Sequence, residues 1–367
     1  MGASKLQVAI VGLGRMGARH ATHFHHLTPR ANLVAACSPE PKELEWAAQN
    51  LEGVRLYADY DEMLDKEGSA LQAVVVASAT AVHAEQSIKA ISRGLHVLCE
   101  KPLSTDVVTS QAVVDAYRLS QVTYPQQKVV CGFSRRFDAS YRDAHRKMTS
   151  GMLGRACVLR SQTCDMFDPS GFFVEYAQFS GGIFVDCSIH DIDLSLWFFG
   201  ETAVVKSVTA IGITALSQEL NKYHDRDNAL GVVEFYGGKI AQLFCSRMMA
   251  AGQEDTTEIT GTRGKVSVNV QPSLNLVNIH EAGGVRREVQ PDYYSRFRDA
   301  FITEANEFTA CCLDDTEPPF KLEGAVNALK IAQALQESLI TGKKINFDMV
   351  GQRQVEGVQE HAISARL

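Results

Sequence analysis

The loop Gly12-Leu13-Gly14-Arg15-Met16-Gly17 constrains the fold more than any other feature of the chain. It follows a short apolar, branched run, Leu6–Val11, and opens a helix-like segment, Arg15–Leu27. Glycines spaced G-x-G-x-x-G in that setting let backbone N–H groups at a helix N-terminus approach a pyrophosphate, where the helix dipole favours negative charge. A second apolar run, Asn32–Cys37, completes a strand-helix-strand unit. Gly12, Gly14, Arg15, Met16 and Gly17 are therefore expected to hold a dinucleotide.

The alternation continues. Helical stretches at Pro41–Asn50, Tyr60–Lys66, Ala81–Arg93 and Val107–Leu119 are interleaved with apolar runs at Ala73–Ala77, His96–Cys99 and Lys128–Phe133. Strands apolar throughout and separated by helices indicate a parallel sheet covered on both faces. Past about residue 150 the pattern changes to short alternating runs: Cys157–Thr163, Val204–Ile213, Ala229–Tyr236, Ile240–Met248, Thr256–Thr260, Lys265–Val270 and Leu274–His280. Gly237-Gly238 between two of them signals a hairpin, and a large, mostly antiparallel sheet is expected. Two helices, Tyr294–Cys312 and Glu323–Thr341, close the pattern, with Pro318-Pro319 enforcing the break. The fold class is thus α/β: a doubly wound Rossmann domain over residues 1–130, joined to an α+β domain over 131–367.

Composition narrows the partners. A formal net charge of −7, without a Lys/Arg run longer than two, disfavours a nucleic-acid backbone. No apolar run approaches a membrane span, and the first residues do not read as a basic-then-apolar signal peptide, so neither a span nor a signal is expected. Nine cysteines lack any C-x-x-C spacing and point to buried thiols in a reducing compartment. Cytoplasm is the expected location, with Ala365-Arg366-Leu367 a loose imitation of a peroxisomal address. Four histidines at 20, 23, 25 and 26 lack a carboxylate or thiol nearby in sequence, so no metal site is expected.

Chemistry-bearing residues gather at two further places. Glu100-Lys101-Pro102 follows a strand of the parallel sheet, beyond whose carboxyl end ligands bind. In Gly181-Gly182-Ile183-Phe184-Val185-Asp186-Cys187-Ser188-Ile189-His190, a strand-like Ile183–Val185 leads to a helix beginning near Cys187, so that Asp186 and His190 project on one side. A histidine there has the pKa range to take a proton from an alcohol. Taken alone, the stretch reads better with Asp186 or Ser188 as a helix N-cap and His190 as a core histidine, and only the company of the other motifs shifts it toward chemistry. At the end of the second strand, where a carboxylate usually meets the ribose, the chain has Ser38, with Glu40 and Lys42 as substitute partners. NAD and NADP both stay open, NAD being favoured.

Together Gly12 to His20 (G-x-G-x-M-G-x-x-H), Glu100 to Pro102 and Gly181 to Asp193 (G-G-x-F-x-D-x-x-x-H-D-x-D) resemble the Gfo/Idh/MocA oxidoreductase family, and within it the inositol 2-dehydrogenases. Gly132-Phe133-Ser134-Arg135-Arg136-Phe137-Asp138 and Thr260-Gly261-Thr262-Arg263-Gly264 are similar to further family motifs. The resemblance implies hydride transfer between NAD(P) and a ring hydroxyl of a cyclitol or sugar. It implies that Lys101, Asp186 and His190 are catalytic and that they bind substrate together with Arg135. Cofactor contacts are implied for Ser38, Ser78, His83, Glu100 and Lys101. His190 is then the general base, Lys101 the stabiliser of the developing alkoxide, and Asp186 the orienting group. A homo-oligomer, dimer or tetramer, is also implied, built through the exposed face of the large sheet. Ser38, Ser134, Phe137 and the missing proline in Ser78-Ala79-Thr80-Ala81-Val82-His83 depart from the family pattern. Aldose or disaccharide dehydrogenases, and a non-catalytic nucleotide-binding regulator, share the same scaffold.

Overall fold

The computed structural model describes residues 5–354. The first third is a six-stranded, wholly parallel sheet in the order β3-β2-β1-β4-β5-β6. Its strands are β1 (Leu6–Val11), β2 (Ala31–Cys37), β3 (Arg55–Tyr57), β4 (Ala73–Val76), β5 (His96–Glu100) and β6 (Val129–Gly132). Helices α1 (Arg15–Thr22), α2 (Pro41–Asn50), α3 (Tyr60–Glu67), α4 (Thr80–Ser92) and α5 (Val107–Ser120) connect them. Nearly every residue of β1 and all of β4 are buried, as strands covered on both faces require. The order reverses between β1 and β4, which opens a crevice at the carboxyl ends of the strands.

The helix expected over Arg15–Leu27 is α-helical only to Thr22 and continues as a π-helical segment over His23–Leu27. That widened turn buries His23, whose ring stacks on Tyr294 at 5.7 Å. Such π segments mark places where packing overrides the regular helix.

After α6 (Ala139–Thr149) the chain builds the second sheet from β7 (Ala156–Met166), β8 (Val205–Ile213), β9 (Asn228–Phe235), β10 (Lys239–Met249), β11 (Glu254–Gly261) and β12 (Lys265–Val268). A two-residue β15 (Ile345–Asn346) ends the order β12-β11-β7-β10-β9-β8-β15. All neighbouring pairs are antiparallel except β7 with β10, which run parallel at the centre. One face is covered by α9 (Ile189–Phe199) and α11 (Glu323–Thr341), with α8 (Ile183–Asp186) packed on both and α7 (Phe172–Ser180) on α8, and α10 (Tyr293–Asp314) packs back toward the first domain. Ile211, Ile213, Leu230, Val232 and Ile240 stand exposed on the other face.

Two expected strands are absent. Ile183–Val185 is not extended but forms α8, a single helical turn whose three apolar residues are fully buried. Leu274–His280 does not join the large sheet; only Ile279–Glu281 is a strand, β13, paired with Gly284–Arg286, β14, in a separate exposed hairpin. Its alternation reflects that small ribbon, not a face of the core. The nine cysteines are all free thiols, most of them buried. Ala365-Arg366-Leu367 lies outside the described residues. No described helix is long and apolar enough to cross a membrane.

Candidate active site

The glycine loop forms where β1 meets α1. Gly12 has φ of +86°, and a Cβ there would stand 2.3 Å from the Ser78 Cα, so only glycine lets the loop lie against the start of the β4–α4 connection. A Cβ on Gly17 would come within 2.0 Å of the Gly12 carbonyl oxygen. At Gly14, the N-cap of α1, no side chain bonds to the helix N-terminus, so its N–H groups are left for an anion. The loop fits the pyrophosphate of a dinucleotide.

A cavity of about 360 Å³ opens between the two domains. Arg15 and Met16 line it from the loop side, Glu100 and Lys101 from the end of β5, Asp186 and His190 from the α8–α9 segment, and Asp165 from β7. Lys101 Nζ donates to the Asp186 carbonyl oxygen at 2.9 Å and lies 3.7 Å from Asp186 Oδ1. Arg247 Nη2 donates to the other carboxylate oxygen of Asp186 at 2.9 Å. Asp186 is therefore clamped between two cations. Among the described residues no hydrogen bond joins it to His190; Asp186 ends α8, and His190 lies in the first turn of α9.

His190 is buried, stacks on the Tyr293 ring at 5.0 Å, and meets the Phe133 ring edge-on at 6.2 Å. Burial, with the positive charges of Lys101 and Arg135 added, holds it well below the ordinary histidine range. The imidazole is neutral, with a lone pair able to accept a proton. Glu100 accepts from His20 Nε2 at 2.7 Å and from the Lys101 backbone N–H at 3.1 Å, which fixes the turn that presents Lys101.

Besides the loop glycines, four of the expected site residues stand away from the cavity wall. Arg135 is one layer behind it, 1 % exposed: its guanidinium donates to Asp191 at 2.9 Å, and to Asp255 and Thr163 at 2.6 Å each. His83 is buried between the Ser78 and Pro102 carbonyl oxygens at 3.0 and 2.9 Å. Two acceptors on one imidazole call for two N–H donors; burial opposes that charge, but Cys99 and the two carbonyls outweigh it and raise His83 to about 9. It ties the β4–α4 loop to the turn after β5. The Ser78 hydroxyl donates to Gln86 at 2.6 Å, leaving its backbone as the part that borders Gly12. Ser38 is buried and donates to Glu43 at 2.6 Å. Glu40 and Lys42 are exposed at the start of α2. The acid beside the glycine loop is instead Glu43.

Sequence reasoning did not single out Asp165 and Gln253, which also line the cavity, and left Tyr293 undecided between reaching the pocket and packing a helix. Asp165 accepts from Gln253 Nε2 at 2.8 Å, and burial raises its carboxyl above the ordinary range. Tyr293 forms the shelf under His190, and its hydroxyl lies 3.2 Å from Ser134 Oγ. Its place just before the last long helix suits a reach into the pocket and a helix-packing role equally, and the stacking on His190 decides between them.

A Rossmann crevice facing a large sheet, with a lysine, a neutral histidine and a clamped aspartate converging on one cavity, defines a two-domain dinucleotide-dependent oxidoreductase. Residues 6–126 match the oxidoreductase family with NAD-binding Rossmann fold, and residues 141–267 match the GFO/IDH/MocA C-terminal domain. The scyllo-inositol 2-dehydrogenase (NAD(+)) of Bacillus subtilis is 30 % identical over 94 % of this chain and 97 % of its own length. The myo-inositol 2-dehydrogenase of Thermotoga maritima is 27 % identical over 94 % and 99 %. The crystal structure of scyllo-inositol dehydrogenase from Lactobacillus casei with bound cofactor NAD(H) and scyllo-inositol superposes with a TM-score of 0.87 at 32 % identity, covering 94 % of this chain and 99 % of that one. The chain belongs to the Gfo/Idh/MocA oxidoreductase family.

Proposed function

We propose that this protein is an NAD-dependent cyclitol dehydrogenase that oxidises a ring hydroxyl of an inositol-like polyol to a ketone. The observation that carries the reading is the convergence of Lys101, Asp186 and a neutral His190 on one cavity at the carboxyl end of the parallel sheet. Its inositol-dehydrogenase relatives supply the substrate class.

The glycine loop, Glu100 and Lys101 hold the dinucleotide, which when bound supplies the hydride acceptor. His190 accepts the hydroxyl proton as the C–H bond breaks. Lys101 stabilises the developing alkoxide, while Asp186 holds the Lys101 ammonium in place and accepts a neighbouring ring hydroxyl. Asp165 and Gln253 line the same cavity and suit the hydroxyls of a polyol. Arg135 acts behind the wall as a positioning group. The outer face of the large sheet joins copies of the chain into a homo-oligomer.

The test is NAD+ reduction at 340 nm against inositols, other cyclitols, aldoses and disaccharides. Turnover confined to cyclitols is expected, and His190→Ala is expected to lower kcat/KM by about 10²–10⁴-fold. Turnover confined to aldoses or disaccharides would move the substrate class. Nucleotide binding without turnover on any sugar or polyol would make the chain a sensor.

A further inference from the structure

Glu43 carries a carboxylate to the glycine loop from an unexpected direction. In the first turn of α2, a glutamate three residues after the N-cap ordinarily folds back to accept the N-cap N–H. Here that N–H, from Glu40, goes to Ser38 Oγ at 3.1 Å. Released from the helix end, Glu43 turns toward the loop: its Oε2 accepts the Leu13 backbone N–H at 3.2 Å and the Ser38 hydroxyl at 2.6 Å. Its Oε1 accepts no hydrogen bond among the described residues and lies 3.2 Å from where a Cβ of Gly14 would stand. No cation pairs with Glu43 among the described residues.

We infer that Glu43 is the residue that binds the adenosine ribose diol and excludes a 2′-phosphate. The inference rests on the dinucleotide reading of the loop. Two neutral donors fix one carboxylate oxygen without cancelling its charge, and the other is left beside the backbone over which the nucleotide must pass. A ribose hydroxyl arriving there donates to an ionised acceptor, which is among the stronger hydrogen bonds available. A 2′-phosphate arriving there meets the like charge of Glu43, which no cation pairs with among the described residues. The strand end has lost its acid at Ser38, and the helix returns one. Ser38 then acts through Glu43, as the hydroxyl that aims it.

The experiment is calorimetric titration of the full chain, without polyol, with NAD+, NADP+, ADP-ribose and 2′-phospho-ADP-ribose. The native protein should prefer NAD+ over NADP+, and ADP-ribose over its 2′-phosphate by a similar factor. Glu43→Gln keeps the shape and can still accept from Leu13, and it should reduce that preference on the order of tenfold or more, the scale of one charged hydrogen bond. Ser38→Asp in the Glu43→Gln background should restore it. A preference unchanged in Glu43→Gln, or equal weakening of all four ligands, would make Glu43 a strap for the loop and overturn the assignment. A native chain that binds none of the four ligands would overturn the dinucleotide reading itself, and this one with it.

Discussion

Arg135 and Asp191 form an ion pair of 2.9 Å with side chains 1 % and 0 % exposed, and it joins the turn after β6 to the first turn of α9. Asp191 follows His190 directly, and its two oxygens also accept from Ser161 and Thr163 at 2.6 Å each. Arg136 repeats the device one residue on, gripping Asp193 through two bonds of 2.8 Å. The first turn of α9, which carries His190, is therefore anchored through Asp191 and Asp193, while no hydrogen bond joins His190 to Asp186 among the described residues. Removing one member of a buried pair leaves the other charge uncompensated, at a cost of roughly 3–5 kcal/mol. Arg135→Ala should lose stability on that scale in urea unfolding, because it leaves Asp191 and Asp255 buried together without their cation. A loss under about 1 kcal/mol, the range of a surface pair, would show that the pair carries no such load.

The neutrality of His190 has a kinetic signature. Burial and the charges of Lys101 and Arg135 depress its pKa, so the base stays unprotonated below the usual histidine value of 6.5. The acid limb of kcat/KM should therefore fall below pH 6.5. Lys101→Met removes one of the opposing charges, so the limb should move to higher pH while kcat drops by about 10²-fold or more. Two profiles with the same acid limb would remove Lys101 as a neighbour of the base.

The outward face of the large sheet makes a prediction about assembly. Ile211 pairs with Leu230 across β8 and β9, and Val232 follows Leu230 two residues on along the same face of β9, so these exposed apolar side chains adjoin on one surface. A contiguous patch of this kind is uncommon on a monomer. Light scattering should give a mass that is a multiple of 40.2 kDa, and Val232→Asp with Ile211→Asp should bring it to one chain. A native mass of one chain would end the proposal.

Much of this molecule is legible in local pattern. Apolar runs such as Val74-Val75-Val76 and the glycine loop carry their meaning within a few residues, because strand burial and tight turns are local demands. Lys101, Asp186 and His190 each occur in a recognisable stretch, and the structure brings them to one cavity. Glu43 was not legible, since a charged residue at the start of a helix looks like a solvated or capping group until Ser38 takes its usual hydrogen bond. Tyr293 stayed undecided between pocket and helix packing because its place under His190 depends on how a late helix packs across the domains. Ile183–Val185 looked like a strand because branched residues dominate it, yet Gly181 and Gly182, with φ of +79° and +93°, turn the chain into a buried helical turn.

Glu304 lies on α10 with 0 % exposure, and both carboxyl oxygens lack a partner among the described residues. Burial, and then the charge of Glu100, raises its pKa well above the ordinary 4.5. Below pH 4.5 the group is neutral in folded and unfolded chains alike and has no effect on the balance. As pH rises past that value the unfolded chain releases the proton and the folded chain keeps it, so stability falls by about 1.4 kcal/mol per pH unit until the folded carboxyl also ionises. Glu304→Gln has the same shape and no titration. Its melting temperature should match the native protein near pH 4.5 and exceed it increasingly toward pH 7, as followed by scanning calorimetry. Melting curves that stay parallel across that range would mean that Glu304 is ionised in the folded protein, in contradiction of its unpartnered burial.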